Sequence, residues 1–245
     1  MIALKNKITN SPTLIRVVPF LIFLLLTLCQ GKFGEASRYW FYFAKTIAGA
    51  GMLWVIWPFI PEMRWKFSWE AVVVGVGVLV MWIGLDGYYP STDQMTQKYF
   101  CPVLRWIGLE SWCPKPAEIK PWNPHQQFGF NTTLAWVFII GRLLGSTFVV
   151  PPLEEVFYRS FVYRYIIKQN IASVPLGQFN WTAFLVTSVI FGLAHHEWLA
   201  GILCGFAYQG LVCRKKRLGD AMTAHAITNF LLGLWIIWKE EWKFW

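Results

Sequence analysis

Long apolar runs separated by short polar connections dominate the pattern of this 245-residue chain. A helix of roughly 20 consecutive apolar residues spans the hydrocarbon core of a bilayer. Runs of about this length occupy residues 14–30, 39–60, 67–89, 128–150, 181–213 and 221–238. The fifth run is long enough for two shorter passes. The pattern therefore predicts an all-α fold, a polytopic membrane helical bundle of about seven or eight transmembrane helices.

Composition and charge agree with a membrane protein and exclude a nucleic-acid-binding one. Hydrophobic residues make up 56% of the chain and charged residues only 14%, which is far from the soluble norm. The 16 tryptophans include several close to the run ends, as in the aromatic belts of membrane proteins. The net charge of +9 is scattered over short connections, with one cluster at residues 214–217. Such a distribution marks a cytoplasmic face, and we predict no nucleic-acid partner.

The basic residues also predict an orientation. Lys5 and Lys7 precede the first run, so we expect the amino terminus and the 214–217 cluster to lie in the cytoplasm. The long polar segment at residues 90–127 then falls outside. It contains Cys101 and Cys113, which could pair in an oxidising periplasm or remain two separate thiols; the sequence favours neither.

The chain divides into two parts of one integrated membrane domain. Residues 1–127 supply amino-terminal spans and the external loop, and residues 128–245 form the motif-bearing catalytic membrane core. Pro151 and Pro152 predict a kink or restart within the fourth run. A continuous helix over residues 128–168 would be about 60 Å long, which is too long for one pass and requires a sharp bend or an extra span.

Three short polar motifs interrupt the apolar sequence of the second part. Their polar residues are Glu154, Glu155 and Arg159 in the first motif, His195 in the second, and His225 with Asn229 in the third. A spacing of four residues places side chains on one face of a helix. Ionisable groups are expensive in a membrane helix, so they indicate function. Helix lengths predict that all three motifs reach into the bilayer from the side of residues 214–217.

These residue types allow amide hydrolysis. Glu155 and Arg159 have the spacing of an ion pair, which leaves Glu154 free as a general base. Glu154 and His195 could activate a water molecule that attacks a carbonyl. His225 and Asn229, one helical turn apart, could then stabilise the tetrahedral anion. Taken singly, the ion pair and the histidine are more often structural than catalytic, and His225 with Asn229 could simply bond neighbouring helices. Their joint occurrence favours catalysis.

Two other classes of protein compete with this hypothesis. A zinc enzyme would use Glu154, His195 and His225 as three ligands, although the usual helical His-Glu-x-x-His motif is absent. A non-catalytic protein could be a transporter that uses Glu154 and Arg159 as a coupling pair, or a scaffold for a sorting partner. Transporters of this kind commonly carry paired repeats with broken helices, and the sequence shows no internal repeat.

The order and spacing of the three motifs resemble those of the CAAX prenyl endopeptidase and bacteriocin-processing family. That resemblance implies an intramembrane cavity and a glutamate-dependent intramembrane protease without a cofactor or metal. It makes Glu154 the water-activating base and His195 its partner. It makes His225 and Asn229 the oxyanion donors, with Glu155 and Arg159 as support.

Stretches outside the motifs are similar to the bacterial subgroup that accompanies exosortase protein-sorting systems. They lie at residues 82–86, 174–177, 196–201 and 232–245. The resemblance implies a multi-pass protein of the bacterial inner membrane whose partners are the lipid bilayer, a membrane-associated protein or peptide substrate, and exosortase-system proteins. We expect the substrate to enter laterally, on the side of residues 214–217.

Overall fold

Helices make up the regular structure of the described chain. The computed structural model describes residues 11–114 and 121–245, so Lys5 and Lys7 lie outside the described residues. Within these ranges the long helices are α1 (Leu14–Leu28), α2 (Ser37–Ile56), α3 (Trp69–Gly84), α4 (Thr133–Ile167), α5 (Trp181–Leu193), α6 (Trp198–Lys215) and α7 (Gly219–Lys239). This agrees with the predicted all-α fold class.

Local sequence signals explain several helix ends. The side chains of Ser68, Thr132 and Asn180 accept hydrogen bonds from backbone N–H groups in the first turns of α3, α4 and α5. These groups would otherwise lack partners, which is why short polar residues favour the position before a helix. Lys216 and Glu240 adopt the left-handed conformation that ends α6 and α7.

Successive long helices run in alternate directions, so their connections gather at two ends. We call one the basic end: Arg16 and Arg164 both contact Glu62 there, and Lys216 donates to the Gly177 carbonyl. We call the other the loop end, which contains the α3–α4 connection, the α5–α6 turn and the carboxy terminus. Residues 214–217 lie at the basic end.

Helix α4 is interrupted rather than split into two spans. It begins at Thr133, later than expected, because residues 129–132 form a turn. The α-helical pattern breaks at Val149, two residues before the first of the two prolines, and resumes at Val150–Glu155. A π-helical stretch follows at Val156–Val162. The predicted restart is therefore present, and the wide π-helical turns directly follow Glu155; such turns are frequent at functional sites.

Small residues allow the closest helix contacts. A Cβ atom added to Gly192 of α5 would lie 2.3 Å from Ile202 of α6, and one added to Gly201 would lie 2.8 Å from the Gly192 Cα. Membrane helices associate closely through such small residues. This packing holds the α5–α6 turn in place.

The outer surface of the bundle is apolar. Trp54, Val80 and Leu144 are 84%, 64% and 50% exposed although each lies within a long helix. Apolar exposure on this scale marks a surface that meets lipid or another protein. By length and hydropathy, α4 and α7 each suffice to cross a membrane, and α1, α3 and α5 are shorter apolar helices.

The α3–α4 connection carries a disulfide. Cys101 and Cys113 are bonded, which resolves the alternative that the sequence left open. Short helices lie at Thr92–Met95, Cys101–Trp106 and Pro124–Phe128. The connection touches the α5–α6 turn, because Thr92 donates to the His196 carbonyl and Trp198 donates to the Pro90 carbonyl.

Candidate active site

One cavity joins the three polar motifs. Its volume is about 560 Å³, and its lining includes Glu154, His195, His225 and Asn229. These residues come from α4, the α5–α6 turn and α7. The structure therefore brings the four side chains predicted to be catalytic to a single space.

Glu155 is the centre of a buried polar cluster at the base of this cavity. The Nδ1–H of His225 donates to Glu155 Oε1 over 3.0 Å, and Arg159 Nε lies 3.1 Å from Glu155 Oε2. Glu155 and Arg159 are fully buried, and the Arg159 guanidinium lies 4.2 Å from the centre of the Phe191 ring. The spacing-based expectation of an ion pair agrees with this contact, and the bond to His225 was not foreseen.

Glu154 points away from that ion pair and toward the cavity. Its side chain is 15% exposed, and its Oε2 lies 4.0 Å from His225 Nε2. This oxygen is buried and finds no hydrogen-bond partner in residues 11–114 or 121–245. A buried carboxylate oxygen normally has a partner, so its free state indicates a place for water or substrate.

His195 reaches the cavity from a turn, one residue beyond the C-cap of α5. Its Nδ1 lies 2.7 Å from the Phe191 carbonyl oxygen. A carbonyl can only accept, so Nδ1 carries the hydrogen and Nε2 of the neutral ring is left as an acceptor. His195 lies outside the helix, because α5 ends at Leu193.

His225 and Asn229 lie one turn apart on α7 but are not two free donors aimed at one point. His225 uses Nδ1 for Glu155, and its ring stacks on Tyr208 with centres 5.1 Å apart. Asn229 donates from Nδ2 to the Ser146 carbonyl over 2.9 Å, which ties α7 to α4. An amide nitrogen has a second hydrogen, so Asn229 keeps one donor.

The cavity extends to the loop end, so the predicted access from the side of residues 214–217 is wrong. Helix α5 spans only 13 residues, and His195 therefore lies at the opposite end of the bundle from Trp181. His196 and the carboxy-terminal Trp245 also line the cavity. The prediction placed His195 within a longer helix, whereas α5 ends at Leu193.

Two cations of the cavity wall escaped the sequence analysis. Lys45 of α2 and Arg142 of α4 both line the cavity, as does Tyr208. The signal was available, since Lys45 and Arg142 each interrupt an apolar run, and ionisable groups in such runs indicate function.

Glu154, His195 and His225 do not form the three-ligand zinc site of the alternative hypothesis. In the described part of the chain, no three or more His, Cys, Asp and Glu side chains form a group able to hold a metal ion. The coupling pair of the transporter hypothesis is also absent at the predicted place, because Arg159 pairs with Glu155 rather than Glu154.

Comparison with known proteins finds a family that matches part of the chain. Residues 133–231 match the family described as Type II CAAX prenyl endopeptidase Rce1-like. The matched segment contains all six motif residues. No curated protein and no solved structure shows significant similarity to the chain. The match supports, at a coarse level, a membrane protease of the CAAX prenyl endopeptidase type.

Proposed function

We propose that this protein is an intramembrane endopeptidase in which Glu154 activates a water molecule for attack on a peptide bond. The observation that carries the proposal is the position of Glu154 Oε2. It has no hydrogen-bond partner among the described residues, and the Glu154 side chain, 15% exposed, lines one cavity with His195, His225 and Asn229. A carboxylate in that setting can hold a water molecule and accept its proton.

In the proposed reaction, water sits between the Glu154 carboxylate and the acceptor nitrogen of His195. Glu154 takes a proton while the water oxygen bonds to the substrate carbonyl carbon, which gives a tetrahedral anion. The anion then collapses, the carbon–nitrogen bond breaks, and Glu154 returns the proton to the leaving amine. The products are a new carboxylic acid and a new amine, which exchange the second water proton to give a carboxylate and an ammonium group, and no cofactor takes part.

His225 and Asn229 are proposed as the donors to the tetrahedral anion. Protonated His225 would offer Nε2–H, and Glu155 would hold the ring by Nδ1 and stabilise its positive charge. With His225 protonated, the charges of Glu154, Glu155, Arg159 and His225 sum to zero, which a low-dielectric site favours. The second N–H of Asn229 is the other donor.

The substrate is proposed to be a membrane-associated protein or peptide whose apolar segment enters laterally from the bilayer. We propose that the endopeptidase itself is a multi-pass protein of the bacterial inner membrane. The similarity of the stretches outside the motifs to the exosortase-associated subgroup suggests sorting-system partners. The extension of the cavity to the loop end supports substrate access from the external side, given the cytoplasmic location predicted for residues 214–217.

Cleavage in proteoliposomes tests the proposal. Purified wild type is incubated with candidate membrane proteins that bear carboxy-terminal sorting tails, beside Glu154→Gln, His195→Ala and His225→Ala. Glu197→Gln is the matched control, because this carboxylate lies in the same turn as His195 but does not line the cavity. We expect cleavage by wild type and Glu197→Gln only, with or without chelator. Equal cleavage by all variants would remove the catalytic assignment.

A further inference from the structure

Two cations lie in the cavity wall toward its loop end. Lys45 is only 7% exposed, and its single hydrogen bond to a described residue is to the Thr27 hydroxyl over 3.1 Å. Arg142 lies on the same helix as Glu154, about three turns closer to the loop end, which is roughly 18 Å along the helix axis. Both side chains share the cavity with Glu154.

Neither cation forms a close ion pair among the described residues, although the Glu154 carboxylate attracts Lys45 from a longer distance. No carboxylate of the described residues lies within 4.0 Å of Lys45 or Arg142. Other buried cations of the bundle are paired: Arg16 and Arg164 share Glu62, and Arg159 has Glu155. A buried charge without a partner is costly, so its presence calls for an anion that arrives from elsewhere.

Aromatic rings hold the two cations in place without using their donors. Lys45 Nζ lies 4.7 Å from the centres of both the Phe23 and Tyr42 rings. The Arg142 guanidinium lies 4.6 Å from the Tyr42 ring and 4.4 Å from the Trp122 ring. Tyr42 therefore touches both cations and fixes them as neighbours. Ring faces attract a cation but accept few directed hydrogen bonds, so N–H groups stay available.

We propose that Lys45 and Arg142 form a subsite that binds a carboxylate of the peptide substrate. This inference rests on the proposed function, and it adds a specificity determinant to the same cavity. The carboxylate is either the carboxy terminus or an acidic side chain. An extended peptide rises about 3.4 Å per residue, so a separation of roughly 18 Å places the cut within about five residues of the bound carboxylate.

Binding to the full-length Glu154→Gln protein tests the subsite without requiring cleavage. The probes are three forms of one short, fluorescent, leucine-rich peptide: one with a free carboxy terminus, one with a carboxy-terminal amide, and one amide form with an internal glutamate. Neutral nanodiscs hold the protein. We expect at least one anionic form to bind about tenfold or more tightly than the neutral amide, as for a charge-assisted hydrogen bond. The form that binds identifies the source of the carboxylate.

Removal of the cations should abolish the preference. When Lys45→Met and Arg142→Met are both introduced into the Glu154→Gln protein, the anionic and neutral peptides should bind equally. Lys239→Met is the matched control, because Lys239 also lies over a tryptophan ring, 3.9 Å from the Trp238 centre, but is exposed outside the cavity. That variant should keep the preference. If the protein with both substitutions does not fold, Lys45→Met alone is tested for equal binding of the anionic and neutral peptides.

Several results would overturn the inference. Equal binding of all three peptides would do so, as would a preference that survives loss of the cations. If phosphatidic acid in the nanodisc displaced the anionic peptide, the subsite would belong to a lipid phosphate. If the wild type cleaves its substrate but no anion preference is found, only the subsite is contradicted. If the anion preference is found but Glu154→Gln still cleaves the substrate, only the catalytic proposal is contradicted.

Discussion

Glu155 connects the two halves of the candidate site at the level of single residues. It accepts from His225 through one oxygen and faces Arg159 through the other, and all three side chains are buried. Loss of this carboxylate would leave a buried guanidinium without its counter-ion and an imidazole without its orienting acceptor. Glu154, by contrast, leaves Oε2 without a hydrogen bond among the described residues and lies 4.0 Å from His225 Nε2.

The two adjacent glutamates should therefore respond differently to substitution. We expect Glu155→Ala to lower stability by about 3–5 kcal/mol, because it leaves Arg159 buried and unpaired. Glu154→Gln should unfold at the wild-type temperature. Thermal unfolding of both purified variants in detergent makes the comparison. Wild-type stability of Glu155→Ala with complete loss of cleavage would instead make Glu155 a direct participant.

Motif spacing predicted well which residues lie close together, but it did not predict their hydrogen-bond partners. It predicted the Glu155 and Arg159 pair and the cavity groups Glu154 and His225. It could not show that His225 bonds Glu155, because that contact joins helices distant in sequence. Lys45 was missed for a different reason: it belongs to no motif, and only its position in an apolar run marked it.

At the level of elements, the α5–α6 contact decides where His195 lies. The apolar run at residues 181–213 looked continuous apart from the polar triplet at residues 195–197, and that triplet is the turn. Its location could not be fixed from periodicity, since both helices of the hairpin are apolar all round. The turn itself depends on Gly192 and Gly201, which let α5 and α6 approach.

A side chain at Gly192 should disturb this turn. The added Cβ of Gly192→Ala would lie 2.3 Å from Ile202 and 2.7 Å from the Trp198 carbonyl oxygen, so the helices must separate. We expect a loss of about 1–3 kcal/mol in stability and a reduced cleavage rate as His195 moves. Gly77→Ala is the control, because its Cβ would meet no atom within 4 Å. Equal behaviour of the two variants would contradict this role for the contact.

A second element-level feature ties α1 to α4 at the basic end. Glu62, in the α2–α3 connection, accepts from Arg16 over 2.6 Å, from Arg164 over 2.9 Å and from Ser160 over 2.5 Å. Burial opposes the charge of Glu62, but the Arg16 guanidinium and the Ser160 hydroxyl outweigh it and hold the pKa of the carboxyl below its usual value. Glu62 is therefore ionised at neutral pH.

This pKa predicts how stability changes with acidity. A carboxyl whose pKa is lowered by folding stabilises the folded state above its unfolded pKa, and that contribution is lost as the pH falls through the folded value. We expect Glu62→Gln to be less stable than wild type at neutral pH, with the difference narrowing in acid. Thermal unfolding over a pH series measures it. Glu110→Gln, at the exposed Arg105 pair, should show little difference at any pH, and a constant gap for Glu62→Gln would contradict the assignment.

For the whole molecule, the alternation of the seven long helices determines which surfaces share a side. The α3–α4 connection, the α5–α6 turn and the carboxy terminus meet at the loop end, where Lys243 contacts Asp86 and Trp122 contacts Trp245. The runs of the sequence predicted the helices well. They did not predict that the cavity extends to the loop end, which depends on how helices of unequal length are staggered.

Cysteine labelling in intact cells tests this arrangement. In a background without the three free cysteines, Tyr88→Cys at the loop end should react with a membrane-impermeant thiol reagent from outside. Arg214→Cys at the basic end should react only after permeabilisation. Both positions are well exposed, so access to the reagent reflects their side of the membrane. Labelling of both from the same side would contradict the alternating arrangement.

The most direct test of the account is the cleavage rate of Glu154→Gln beside wild type and Glu197→Gln in one proteoliposome preparation. General base catalysis contributes about 10²–10⁴-fold, so Glu154→Gln should be slower by that factor while its thermal unfolding is unchanged. Glu197→Gln should cleave at the wild-type rate. Cleavage by folded Glu154→Gln at the wild-type rate would contradict the claim that this carboxylate activates the attacking water.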